Sequence, residues 1–93
     1  MRTLSELKKM FYIKRFWADG DIDYFKVIST DKSNNRYLTD NDYIRFSGIT
    51  NDYSSLGDNS KTVFIDDERV KDKVISKLEY TLIKEKVTEI IWV

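Results

Sequence analysis

Asp19-Gly20, set between the run Phe11-Tyr12-Ile13-Lys14-Arg15-Phe16-Trp17 and the run Ile22 to Ile28, constrains this chain more than any other feature. An Asp-Gly pair between two apolar-rich runs is the strongest short-range signal for a β-hairpin, because both residues tolerate the positive φ of a tight turn. The hairpin holds six of the thirteen aromatic residues. The rest of the fold is therefore expected to be built on it.

A two-residue turn at Asp19-Gly20, or a four-residue loop from Ala18 to Asp21, pairs Trp17 with Ile22, Arg15 with Tyr24, Ile13 with Lys26 and Phe11 with Ile28. A three-residue loop shifts the register by one and sets Lys14 opposite Lys26, a destabilising like-charge pair, so the first register is preferred. Side chains alternate along a strand, and the preferred register collects Phe11, Ile13, Trp17, Ile22, Tyr24 and Ile28 on one core face, with Arg15 and Lys26 among them. The other face carries Tyr12, Lys14, Phe16, Phe25 and Val27, with Asp21 and Asp23 near the turn. That face is too apolar to be left to water, so it is expected to be covered or to bind something.

Before the hairpin, Thr3-Leu4-Ser5-Glu6 fits a capping box and predicts a short N-terminal helix from about Leu4 to Lys9 or Met10. After it, the polar cluster Ser29 to Asn35 predicts a second turn, and Arg36-Tyr37-Leu38 a third strand of a meander. Thr39 to Gly48 reads either as a short helix with Thr39 as N-cap or as a loop before a strand Tyr43 to Phe46; cap and stop signals favour the helix. Asn51 to Lys61 is the segment richest in breakers and reads as a loop, and Thr62 to Ile65 as a short buried strand. Asp66 and Asp67 then stand where caps occur. They would open a long C-terminal helix from about Asp67, whose apolar stripe is Val70, Val74, Leu78 and Leu82 with Ile75 beside it. The end, Val87 to Val93, fits a helix end or an added strand.

Together these elements predict an α+β fold: a small, mainly antiparallel sheet with the long C-terminal helix packed on one face and a short N-terminal helix. Ninety-three residues suffice for one domain, 1–93, and one core. No apolar run is long enough to span a bilayer, and the first residues lack the apolar segment of a signal peptide, so the expected location is cytoplasmic.

The missing residue types narrow the chemistry. The chain has no histidine, which removes the usual general base and metal ligand, and no cysteine, which removes disulfides and thiolate sites. Asp19-x-Asp21-x-Asp23 begins like a calcium loop, but Tyr24 stands where glycine is needed and Thr30 where the bidentate acid is needed. The paired acids Asp40 with Asp42 and Asp66 with Asp67 stand at cap positions. Gly20, Gly48 and Gly57 are too scattered for a phosphate loop. The expectation is a non-catalytic protein with no cofactor and no metal.

Sixteen basic and sixteen acidic residues cancel. They are unevenly placed: residues 1–17 carry net +4, residues 18–59 net −4, and the remainder is neutral. The one constellation with a binding mechanism attached is the basic-aromatic mixture of Tyr12, Lys14, Phe16 and Phe25 with Lys8 and Lys9. Aromatic residues with a few cations are what protein interface centres are made of. The leading expectation is a small protein-binding regulator or inhibitor acting on another protein, with a homodimer as a further arrangement. The alternative is a single-strand nucleic-acid binder that stacks bases on the same aromatics, against which stand the neutral overall charge and the nearby Asp21 and Asp23. No family resemblance can be tied to particular residues; the abundance of Lys, Ile, Asn, Asp and Tyr suits a phage or mobile-element protein.

Overall fold

The computed structural model describes residues 10–40, 43–55, 61–65 and 68–92, the side chains of Lys61 and of 88–92 excepted. The expected hairpin is present as β1 (Phe11–Trp17) and β2 (Ile22–Asp31). Its loop, however, has three residues, Ala18 to Gly20. The Gly20 N–H donates to the Trp17 carbonyl at 3.1 Å, and the Trp17 N–H donates to the Asp21 carbonyl at 2.9 Å. Gly20 takes φ 98°, a left-handed conformation that glycine adopts without steric cost.

This loop sets a register one residue away from the expected one: Phe16 faces Ile22, Lys14 faces Tyr24 and Ile13 faces Phe25. A one-residue slip re-sorts the faces. Phe11, Ile13, Arg15 and Trp17 now share a side with Asp23, Phe25 and Val27, while Tyr12, Lys14 and Phe16 share a side with Ile22, Tyr24 and Lys26. The three-residue loop considered from the sequence set Lys14 against Lys26. Placing glycine at the third loop position instead gives Lys14 an aromatic partner.

The remaining strands are β3 (Arg36–Thr39), β4 (Ile44–Ser47), β5 (Asp52–Ser55), β6 (Lys61–Phe64) and β7 (Val70–Ile75). β3 pairs with the second half of β2 and β4 with its first half, so the two behave as one interrupted strand beside β2. A register shift between Val27 and Ser29 marks a bulge there. β6 pairs with β3 and β5 with β4, and β7 returns to pair with β1. The sheet curls enough for the Phe64 carbonyl at the end of β6 to accept a hydrogen bond from Arg15 Nη2 of β1 at 2.7 Å.

Several expectations are corrected. The helix over Thr39 to Gly48 is absent: Thr39 ends β3, and Ile44–Ser47 is a strand. It alternates because Ile44 and Phe46 face one core cluster while Arg45 faces Asp23. Within the expected loop, Asp52–Ser55 forms β5. The C-terminal helix, α1, spans Lys77–Trp92 rather than starting near Asp67. The segment Val70-Lys71-Asp72-Lys73-Val74 alternates with period two and is taken up by β1. The helix begins at Ser76-Lys77-Leu78-Glu79, a second capping-box pattern in which Ser76 Oγ accepts from the Glu79 N–H at 3.1 Å. Of the expected stripe, Val74, Leu78 and Leu82 are open to solvent at 64%, 68% and 56%, whereas Val70 is half-buried and Ile75 buried. Tyr80 and Val87 are buried instead, with Ile83 partly so, at spacings i, i+3 and i+7. The N-terminal helix and the caps Asp66 and Asp67 lie outside the described residues.

Each face of the hairpin is packed. Under α1, Tyr24, Ile44, Ile75, Tyr80 and Val87 form one cluster, flanked by Tyr12, Ile22, Phe46, Tyr53 and Ile83. On the other face Ile13, Phe25, Val27 and Tyr43 form a second, flanked by Phe11, Tyr37 of β3 and Val63 of β6. The coarse expectation of an antiparallel sheet with one C-terminal helix therefore holds. No described helix is long and apolar enough to cross a membrane.

Candidate functional site

Charged residues occur in two arrangements that differ in one respect: in the first, acids and bases are matched. Asp23 is fully buried. Its Oδ2 accepts from Trp17 Nε1 at 2.8 Å, the Tyr43 hydroxyl at 2.6 Å and Arg45 Nη2 at 3.0 Å, while Oδ1 accepts from Arg45 Nε at 2.7 Å. Arg15, 2% exposed, donates from Nε and Nη2 to both oxygens of Asp72 at 2.7 and 2.8 Å. Burial pushes the Tyr43 hydroxyl above its ordinary pKa, and its bond to Asp23 pushes the same way. Burial disfavours the Arg15 charge, but Asp72 outweighs this and holds the guanidinium above its ordinary value. No described buried side-chain nitrogen or oxygen lacks a partner. A buried network satisfied in this way holds strands together. The calcium-like spacing is spent in the same way, with Asp19 Oδ1 accepting from the Asp21 N–H at 3.0 Å and Asp21 Oδ1 from the Gly48 N–H at 3.1 Å.

The second arrangement is unmatched. Antiparallel pairing sets Lys14 of β1 directly opposite Lys73 of β7, and Phe16 opposite Lys71. All four side chains project from the face that carries α1, but α1 covers its other end, where Tyr12 packs on Tyr80 with ring centroids 4.8 Å apart. Phe16 is 38% exposed. Lys14 Nζ lies 5.1 Å from the Phe16 ring centroid and 5.6 Å from that of Tyr24, within cation–π range. Burial pushes the Tyr24 hydroxyl up to about 12, with Tyr53 and Glu79 adding to the effect. From Lys71 the cross-strand row continues through Phe16, Ile22, Phe46 and Tyr53. Among the described residues, none of Lys14, Lys71 and Lys73 makes an ion pair.

Of the residues expected to bind a partner, Lys14 and Phe16 are therefore together and accessible, and Tyr12 is half-buried under the helix. Phe25 is on the opposite face, fully buried and stacked on Tyr43 at 5.0 Å and 2°. The register slip moved it there. Lys8 and Lys9 lie outside the described residues. Lys71 and Lys73 are not among the residues expected from the sequence, because the valine spacing there reads as a helix; the alternation from Val70 to Val74 is the signal that points to them. Chemically the patch offers ammonium groups beside an aromatic ring, a surface for anionic groups. Among the described residues no cluster of acids is placed to hold a metal.

No family model matches the chain, and neither the curated proteins nor the solved structures compared with it show a significant match.

Proposed function

We propose that this chain is a small non-catalytic binding protein that engages an acidic surface of another protein through Lys14, Phe16, Lys71 and Lys73, and so acts as a regulator or inhibitor of that partner. The observation that carries this reading is the cross-strand juxtaposition of Lys14 and Lys73 with no ion pair to offset it among the described residues. Like charges directly opposite in a sheet cost stability, and a fold that places its buried ions in matched pairs elsewhere leaves this pair unmatched on an open face. An exposed aromatic beside the cations supplies the apolar anchor of an interface.

The test is capture by the tagged chain from a lysate of its source, followed by repetition with purified partner. Wild type is expected to retain a protein that Phe16→Ala and Lys71→Glu/Lys73→Glu both lose while remaining folded. Retention by both variants overturns the assignment. A second reading, single-strand nucleic-acid binding, is favoured by the same three lysines. It requires a complex with an oligothymidylate whose affinity falls steeply with salt, and a flat salt response removes it.

A further inference from the structure

β7 lies at the edge of the sheet: among the described residues it pairs with β1 and with no other strand. Which of its backbone groups are open follows from one hydrogen bond. The Ala18 N–H donates to the Arg69 carbonyl at 2.8 Å. These two residues extend the register in which Trp17 faces Val70. In an antiparallel ladder, pairs that exchange hydrogen bonds alternate with pairs that exchange none. Lys71, Lys73 and Ile75 therefore bond to β1, while Val70, Asp72 and Val74 turn their N–H and C=O groups to the open edge. No backbone bond beyond the strand ladders involves these three residues among the described part of the chain. At about 3.3 Å per residue, Val70 to Val74 presents roughly 13 Å of unpaired edge.

The side chains select what can pair there. A second copy related by a two-fold axis must set one β7 residue against itself. Centred on Asp72, such a pair opposes Lys71 to Lys73 twice; centred on Lys71 or Lys73, it opposes a lysine to its own copy. Like charges in those positions are destabilising, so two-fold pairing centred anywhere from Lys71 to Lys73 is disfavoured. A strand with carboxylates two residues apart meets the opposite situation, because both acids fall on the face of Lys71 and Lys73, with Lys14 one strand behind. On the other face Val74, 64% exposed, offers an apolar contact.

We propose that the β7 edge docks an extended acidic segment of a partner protein by strand addition, with alternating carboxylates against Lys71 and Lys73 and backbone bonds to Val70, Asp72 and Val74. The charge of the partner rests on the patch reading above; the mode of docking rests on the edge itself. Lysines on an edge strand also serve simply to keep other strands away, and the experiment separates the two roles.

The isotope-labelled chain is titrated with a capped peptide alternating threonine and glutamate, and with its lysine counterpart. The acidic peptide is expected to slow amide exchange at Val70, Asp72 and Val74 by at least about tenfold, with Lys71 and Lys73 amides unchanged; the lysine peptide is expected to do nothing. Val74→Pro removes only an outward-facing N–H, which an edge strand tolerates, and is expected to abolish the protection. Lys71→Glu/Lys73→Glu is expected to reverse the peptide preference. No binding of the acidic peptide, or equal binding of both peptides, overturns the proposal. Binding that shifts Lys14 and Phe16 but survives Val74→Pro overturns strand addition while leaving the patch in place. Protection by neither peptide together with tight binding of an oligothymidylate assigns the patch to nucleic acid.

Discussion

Lys14 and Lys73 face each other across the β1–β7 ladder, and neither ammonium is offset by an ion pair among the described residues. Arg15 and Asp72, next along the same two strands, face each other in the same way and form a partly buried bidentate pair. Neighbouring rungs of one ladder thus carry opposite electrostatic logic. One rung holds the fold together on the side packed by β3 and β6, and the other weakens it slightly on the open side.

Removing that weakness is expected to stabilise the protein. Lys73→Glu turns a repulsive cross-strand pair into an attractive one, and the gain is expected to be about 0.5 kcal/mol. Urea denaturation at low ionic strength measures it, and the gain shrinks with added salt. The same substitution is expected to weaken partner binding, so stability and binding move in opposite directions. A variant that loses stability contradicts the cross-strand geometry.

Breaking the matched rung has the reverse effect. In Asp72→Ala the Arg15 guanidinium, 2% exposed, keeps only the Phe64 carbonyl as an acceptor. The expected loss is about 1–3 kcal/mol, read from the denaturation midpoint, because a buried guanidinium loses its bidentate acceptor while Asp23, opposite it across β1 and β2, still offsets part of its charge. A loss below about 1 kcal/mol, the range of a surface pair, shows that water reaches the site.

The hairpin loop and the β4–β5 turn touch through two glycines. A Cβ added at Gly48 would lie 2.7 Å from the Gly20 carbonyl oxygen and 2.9 Å from its carbon. Both are backbone atoms and cannot swing aside, so Gly48→Ala is expected to cost about 1–3 kcal/mol. Gly20→Ala is expected to cost about 1–2 kcal/mol for a different reason, its left-handed φ of 98°.

Alkali is expected to unfold the chain through its buried tyrosines. The Tyr24 hydroxyl is raised from 10.0 to about 12, chiefly by burial, and Tyr43 is raised as well by burial and Asp23. Both groups stay protonated when folded but ionise near 10 when unfolded. Their contribution is therefore complete below pH 10 and declines as pH rises from 10 through the folded value. The denaturation midpoint should stay level through neutral pH and drop above 10. Tyrosinate absorbance from Tyr24 and Tyr43 should appear only with unfolding. Early titration of all six contradicts the packing.

What was legible in the sequence was local. Asp19-Gly20 announced the hairpin, the Ser29 to Asn35 cluster the next turn, and Thr62 to Ile65 a short strand, because turn chemistry and β-branched content act within a few residues; that strand forms as Lys61–Phe64 but is not buried, with Phe64 53% exposed. The alternation of Lys14 and Phe16 placed them on one face in any register, so that half of the candidate site was readable. The partners of β1 were not readable. The position of Gly20 within its loop decided the register, and one residue of slip sent Phe25 from the candidate site into the opposite core. Val70 to Val74 carried both a helical spacing of valines and a strand alternation. Only the open side of β1, which needed a strand to satisfy its backbone, decided between them, and in doing so brought Lys71 and Lys73 to Lys14. The residues of the candidate site and the ladder that collects them are thus separated: composition and periodicity supply the first, and long-range backbone pairing supplies the second.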